Sequence, residues 1–309
     1  MNIGFFGTPE LAARVLAGLA REHSVSFAVT AEDKRAGRNR ELQLCPAKSE
    51  ALRLGIPVLQ PLSLKEPSFL EEISACGAEA FVVVAYGSLI PRTVFAHPRL
   101  GTLNLHPSLL PRYRGAAPIQ WCLFNGETET GITVQLINEK LDAGDIIVQE
   151  KMPVPADMTA GDLMEIASST GAGLISRALG LLASGAAPVK QDESLATYCG
   201  KIDRDTARVD WKRHPHEIHN LVRGLNPKPV AFSRFRGEQI RIWKTAPPPV
   251  DAPGTPIPGV LVRYQKKRLL AGTGDGFIEI LQLQPANKKI MDAGAFINGY
   301  RLVPEDTFE

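Results

Sequence analysis

Through the first half of the chain, short apolar runs alternate with segments whose apolar residues recur at helical spacing. Residues 2–7 (NIGFFG) predict a strand, and the following helix carries Leu11, Val15, Leu16 and Leu19 on one face. Thr8 suits the N-cap of that helix, Pro9 its first position and Glu10 the positive end of its dipole. Residues 24–31 (SVSFAVTA) predict a second strand, and 55–61 (GIPVLQP) a third, after a helix near 47–54. Residues 78–87 (AEAFVVVAYG) are β-branched and apolar enough for a central strand covered on both faces. Two more strands are predicted at 101–108 (GTLNLHPS) and 130–139 (TGITVQLINE), the second alternating with period two. A long helix over 157–184 begins at Asp157 or Thr159 and ends at Gly185. Strand–helix alternation of this kind predicts an open, mostly parallel, doubly wound sheet, a Rossmann-like α/β domain.

The texture changes near residue 188. Residues 188–211 (PVKQDESLATYCGKIDRDTARVDW) are polar and nearly free of apolar clusters, as an interdomain linker would be. A helix near His216–Gly224 then precedes short strands at 231–235, 239–244, 259–264, 268–273 and 276–284. Turn residues at Arg236-Gly237-Glu238 and Asp275-Gly276 and a Pro-rich loop at 246–259 separate them, which predicts a small, OB-like β-barrel. The expected organisation is a catalytic domain at 1–189, a linker at 190–207 and a β-barrel at 208–309.

Composition narrows this picture only a little. The chain has 309 residues, enough for two domains, and no stretch approaches the ~20 consecutive apolar residues of a membrane span. No basic, then apolar, leader is evident at the N-terminus, and Cys45, Cys76, Cys122 and Cys199 show no paired spacing, so a reducing cytoplasm is expected. Residues 1–189 carry 16 Lys and Arg against 19 Asp and Glu, whereas residues 190–309 carry 19 against 14. A basic second part suits a polyanionic partner, although so small an excess also describes an ordinary surface.

Two candidate chemistries fall away. The turn GFFGTPE lacks the third glycine of a dinucleotide-binding fingerprint, so NAD(P) is not expected. In HPHEIH, His216 and His219 lack the i, i+4 spacing of helical zinc ligands and Pro215 directs His214 elsewhere, so no metal is assigned. His106 is different, because it ends a predicted strand, where open α/β sheets place ligands, and Asn104 projects to the same face. Asp142 follows another predicted strand in a Gly-containing loop (LDAG) that can reach the imidazole. An amide donor, an imidazole and a carboxylate suit acyl transfer: Asn104 donates to a developing oxyanion, His106 stabilises it or moves a proton, and Asp142 orients or charges the His. G-x-S-x-G does not occur, which points to direct attack by a substrate nucleophile through a tetrahedral intermediate.

The residues NLHPSLLPRYRGAAPIQW (104–121) and TGITVQLINEKLDAGDII (130–147) resemble the 10-formyltetrahydrofolate-dependent formyltransferases, whose shared core has Asn-x-His, Ser-Leu-Leu-Pro and a Leu-Asp-x-Gly loop. GTPELAARVL, VVVAYGSLIP, YCGKIDRDTARVDW, VRGLNPKPVAF and QPANKKIMDAGAFINGYRL extend the resemblance over nearly the whole chain, to the branch whose acceptor is methionyl initiator tRNA. The purine-pathway branch, acting on glycinamide ribonucleotide, shares the core and stops after the first domain. The resemblance implies a formyl donor, 10-formyltetrahydrofolate, and a catalytic trio of Asn104, His106 and Asp142. It implies a folate site lined by Ser108, Leu109, Leu110 and Pro111 and by Tyr86, Gly87, Ser88, Leu89 and Ile90. Arg38 matches the arginine of an insertion loop that engages tRNA, with Arg35 and Arg40 beside it and Lys201 further on. The loop EDKRAGRNRE has the charge to seek phosphate. Arg204, Arg208, Arg234, Arg236 and Arg241 are further candidates, and a monomer is expected. This loop lacks the two prolines common in the family, and Lys228 stands where a Trp is common.

Overall fold

The structure, a computed structural model, describes residues 1–36, 41–252 and 254–309, and the chain divides into two compact units. The first comprises Met1–Pro118, Glu129–Met152 and Met164–Cys199; the second comprises Ile119–Thr128, Pro153–Leu163 and Gly200–Glu309.

The chain begins β1 (Asn2–Gly7), α1 (Glu10–Leu19), β2 (Ser24–Val29) and a two-stranded antiparallel ribbon of β3 (Lys34–Ala36) and β4 (Glu41–Gln43). Then come α2 (Pro46–Arg53), β5 (Val58–Leu59), α3 (Pro67–Ala75), β6 (Ala80–Val84), α4 (Arg92–Phe95), β7 (Thr102–His106) and β8 (Arg114–Gly115). After α5 (Pro118–Phe124) follow β9 (Glu129–Leu136), β10 (Ile146–Pro153), α6 (Ala160–Ala183) and β11 (Tyr198–Cys199). The main sheet has seven strands in the order β10-β9-β7-β6-β1-β2-β5. β5, β2, β1, β6 and β7 are parallel, and β9 runs antiparallel to β7. The chain builds outward from β1 to β2 and β5, then reverses to β6 and β7, so a topological switch point lies between β1 and β6.

Strand alternation explains both layers of the core. Ile3, Phe5, Val82, Val84, Leu103 and Leu105 face α1 and α6, meeting Val15, Leu16, Leu174, Ile175 and Leu179. Phe6, Phe27, Phe81 and Val83 face the other way, onto Phe69, Ile73 and Tyr86. α6 has the length and apolar composition of a membrane span, but its Ala167, Leu174, Ile175, Ala178 and Leu179 are packed into this core. A capping box at Thr159 and Asp162 starts that helix, at the second of the two starts its sequence allows.

Three details differ from expectation. Thr8 does not cap α1; its hydroxyl donates to the Tyr86 carbonyl instead, and Pro9 takes the cap position. β10 has no counterpart in the sequence reading, because this edge strand is only half-buried and passes from IIVQ to EK without alternation. Residues 191–199, within the stretch read as a linker, belong to the first unit, where β11 pairs with β8.

In the second unit, α7 (Pro215–Gly224) packs Ile218 and Val222 into the same core as the sheet residues Ile240, Ile242 and Ile280. The antiparallel sheet follows the order β12 (Ala231–Phe235), β13 (Glu238–Ala246), β16 (Phe277–Pro285), β15 (Arg268–Gly272), β14 (Leu261–Tyr264), with β17 (Met291–Asp292) beside β16. The C-terminal residues bridge its two edges, Phe308 to Phe235 and Thr307 to Val260, which closes the sheet. A final helix, α8 (Ala293–Tyr300), is capped by Asp292, whose Oδ1 accepts from the Ala295 N–H.

Candidate active site

On β7, Leu103 and Leu105 enter the α1/α6 core, so Asn104 and His106 share the opposite face at the C-terminal end of the parallel strands. Register on β9 continues this polar face: Gln135 lies across from Asn104, and Thr133 across from His106. The hydroxyl of Thr133 donates to the Ser108 carbonyl (2.6 Å) and accepts from the Leu110 N–H (3.3 Å) and from Gln149 (2.9 Å), fixing the loop after β7.

His106 is only 4% exposed. Its Nε2 lies 2.8 Å from the Tyr113 carbonyl oxygen. A carbonyl only accepts, so Nε2 carries a proton, and the proton that distinguishes imidazole from imidazolium belongs at Nδ1. Nδ1 faces Asp142, with Oδ2 at 3.8 Å. The carboxylate is well supplied with donors: Gly115 N–H to Oδ2 at 2.9 Å, Gln135 Nε2 to Oδ1 at 3.3 Å and Asn104 Nδ2 to Oδ1 at 3.5 Å.

Two glycines make this arrangement possible. Asp142 sits in the left-handed region (φ 49°) on a tight loop. A Cβ on Gly144 would lie 1.6 Å from the Leu136 carbonyl oxygen, so only glycine lets the loop close on β9. Gly115 (φ 122°) likewise packs its Cα against the Cys199 carbonyl, which a Cβ would approach to 2.2 Å.

A second polar layer, absent from the sequence reading, supports the trio. Arg114 is fully buried and pairs with both oxygens of Glu193 at 3.0 and 2.9 Å. That guanidinium holds the Glu193 carboxyl below the ordinary range. Arg114 also donates to Gln191 Oε1, and Gln191 Nε2 contacts Gln135 Oε1 and the carbonyls of Asp142 and Gly144. The Thr133/Gln135 pair repeats the period-two polar pattern of Asn104/His106 and is a usable signal; Gln191, in a uniformly polar stretch, carries none. Cys199 lies behind the site, its thiol pushed up by burial, and all four cysteines are free thiols. Among the described residues no cluster of three His, Cys, Asp or Glu is placed to hold a metal. In HPHEIH, His214 instead pairs with Asp275, and His219 bonds Thr245 and the Ala156 carbonyl.

The candidate folate residues fall into two groups. Ser108 and Leu110 are buried, and the Ser108 hydroxyl donates to the Arg112 carbonyl, so they shape the wall behind His106. Leu109 and Pro111 are half-buried on the same loop. Tyr86–Ile90 follow β6, the parallel neighbour of β7, at the same sheet end. Tyr86 is buried edge-on against Phe6, with its phenol pushed up by burial, whereas Gly87, Ser88 and Leu89 are exposed, Leu89 by 83%. Of the candidate tRNA residues, Arg38 and Arg40 lie outside the described residues, Arg35 is on β3, and Lys201 is exposed. In the second unit Arg208 and Arg241 are exposed, Arg204 lies over the Phe232 ring, and Arg234 reaches the Gly237 carbonyl. Arg236 is committed to a bidentate pair with Asp306 (both 2.8 Å), which competes with phosphate for its donors.

Comparison with known proteins gives the family. Residues 1–179 match the formyl transferase family model, and residues 201–301 match that of the formyl transferase C-terminal domain. The chain belongs to the formyl transferase family. A methionyl-tRNA formyltransferase of Leptospira interrogans is 41% identical over 314 residues, and one of Carboxydothermus hydrogenoformans is 42% identical over 311, each match covering 100% of both chains. Within the family, the chain therefore falls with the methionyl-tRNA formyltransferases. The structure of HypX from Aquifex aeolicus in complex with tetrahydrofolic acid shares the fold, with a TM-score of 0.65 at 18% identity over 96% of this chain. This chain spans about half (47%) of that protein.

Proposed function

We propose that Asn104, His106 and Asp142 carry out the family's reaction in this chain, which acts in translation initiation by moving the formyl group of 10-formyltetrahydrofolate to the α-amine of methionyl initiator tRNA. The observation that carries the assignment is the convergence, at one end of the sheet, of an amide, an imidazole whose Nδ1 faces Asp142, and a carboxylate that accepts three hydrogen bonds. Esterification lowers the pKa of the methionyl amine, so the neutral nucleophile is available near neutral pH. The amine nitrogen adds to the formyl carbon, and the carbonyl electron pair moves to oxygen. Asn104 Nδ2–H donates to that oxyanion, as in other preorganised oxyanion sites. His106 accepts the amine's proton at Nδ1, because Nε2–H is held by Tyr113, and the resulting imidazolium faces Asp142 Oδ2. The proton then passes to N10 of the folate as the carbon–N10 bond breaks and the carbonyl re-forms.

The domain assignment is part of the same reading: chemistry in residues 1–189 together with the 191–199 segment that joins the first unit, a connection from there to 207, and tRNA contacts from 208–309. Support comes from the basic excess after residue 189 and from exposed Lys201, with Arg35, Arg38 and Arg40 as further phosphate partners. The exposed, apolar Leu89 and the turned backbone at Ala85 (φ 46°) and Gly87 (φ 93°) suit a flat pterin ring with polar edges. The enzyme works as a monomer in the cytoplasm, where its free thiols suit a reducing medium.

A single-turnover assay with 10-formyltetrahydrofolate and two acceptors tests the reading. Methionyl initiator tRNA is formylated and glycinamide ribonucleotide is not; formylation of the small amine alone overturns the tRNA assignment.

A further inference from the structure

We infer that Gln191, oriented by Arg114, is a positioning residue that acts through Gln135 to aim the Asp142 carboxylate at His106, an inference that rests on the role assigned to Asp142 above.

The argument turns on which groups can only donate. A guanidinium has no acceptor, so the Gln191 oxygen must face Arg114, whose Nε and Nη2 lie 3.1 and 2.8 Å away. Gln191 Nε2 is thereby turned the other way, where every partner is an oxygen: Gln135 Oε1 at 3.0 Å, the Asp142 carbonyl at 3.0 Å and the Gly144 carbonyl at 2.7 Å. With its oxygen engaged, Gln135 presents Nε2 to Asp142 Oδ1 at 3.3 Å. One buried cation thus sets two successive amides, and the second amide fixes one carboxylate oxygen. Oδ1 is held by Gln135 and Asn104, which leaves Oδ2, anchored by the Gly115 N–H, toward His106 Nδ1. Gln191 also grips the backbone on both sides of Ala143, at the point where Asp142 is held at positive φ.

The charge on Arg114 is balanced by Glu193, so the device leaves no uncompensated buried cation. Gln191 and Glu193 lie between the two regions matched by the family models, 1–179 and 201–301. The titratable and charged groups around Asp142 are His106, the buried Cys199 thiol and, beyond Gln191, the Arg114–Glu193 pair, with Tyr198 bonded to Arg114 and with Lys140 and Asp192 acting on Glu193.

Four variants test this in the full-length enzyme: Gln191→Met, Gln191→Glu, Gln135→Glu and the control Asp142→Asn. Readouts are kcat, KM for both substrates, the acid limb of kcat/KM against pH, and the thermal midpoint. Gln191→Met, which fills the space without donating, lowers kcat about tenfold with KM for tRNA unchanged, as removal of an orienting partner does. Gln191→Glu keeps the pairing with Arg114 but cannot donate, and it loses at least as much. Gln135→Glu sets a second carboxylate against Asp142 and moves the acid limb up by about one pH unit or more; a limb left in place shows that residue 135 does not reach Asp142 and breaks the relay. The inference is overturned if Asp142→Asn is inactive while Gln191→Met keeps near-normal kcat or Gln135→Glu keeps the original acid limb. If Gln191→Met fails to fold, kcat of Gln191→Glu decides, and a rate near wild type overturns the inference. Retention of turnover by Asp142→Asn refutes instead the role of Asp142 on which the inference rests.

Discussion

Replacing Gly144 with Ala probes the site without touching any reacting group. The new methyl would stand 1.6 Å from the Leu136 carbonyl oxygen and 2.7 Å from its carbon, whereas ordinary contact begins near 3.4 Å. Both flanks are backbone, so the Asp142 loop has to retreat from β9 by roughly 2 Å, since steric repulsion rises steeply inside contact distance. Asp142 is two residues away and is held by a 2.9 Å bond from the Gly115 N–H, which does not survive such a shift. Losing one hydrogen bond to a charged group costs about 1.5–3 kcal/mol. Charged to the transition state, that is roughly a 10- to 150-fold fall in rate. Overpacking takes about 1–3 kcal/mol from stability as well. Single-turnover formylation under saturating donor and acceptor, alongside a thermal melt, measures both. Gly173→Ala is the matched control: nothing lies within 4 Å of its added methyl, and a helical Ala should stabilise α6 by up to about 1 kcal/mol with no change in rate. A Gly144→Ala enzyme that folds and transfers formyl at the wild-type rate would refute the claim that loop closure on β9 sets Asp142.

Two further outcomes follow from the charges. Lys201→Ala should weaken tRNA binding and reduce the slope of log affinity against log salt by about one phosphate contact; an unchanged slope removes Lys201 from the tRNA surface. The pKa of His219 is lowered, chiefly by burial, and that of His23 is lowered by burial too. A histidine whose folded pKa lies below its ordinary value binds its proton more readily when unfolded, so stability falls as pH drops through about 6.5. The melting midpoint should decline from pH 7.5 to 5.5, and His219→Gln should flatten part of that decline; a midpoint that rises on acidification contradicts the assignment.

Much of the fold is legible because its strands obey simple periodicities. β1, β6 and β7 announce themselves as apolar runs, and the alternation within β7 alone places Asn104 and His106 together. The LDAG loop is legible too, since glycine beside an acidic residue after a strand marks a tight return. Illegible elements are those whose stability comes from distant partners. β10 is an edge strand with a mixed pattern, and β11 has two residues paired with a segment 84 positions earlier in the chain. Gln191 and Glu193 look like solvated surface in the sequence; only the burial of Arg114 reveals them as its partners. Thr8 shows the converse failure: a good N-cap by local rules is taken by the Tyr86 carbonyl across the switch point.

The most direct test of the account is the single-turnover rate of His106→Ala, measured together with its affinity for methionyl initiator tRNA. Loss of the proton acceptor at Nδ1 should lower the transfer rate by about 10²- to 10⁴-fold while tRNA affinity stays near wild-type. A variant that binds tRNA normally and transfers formyl within a few-fold of wild type would contradict the central role given to His106.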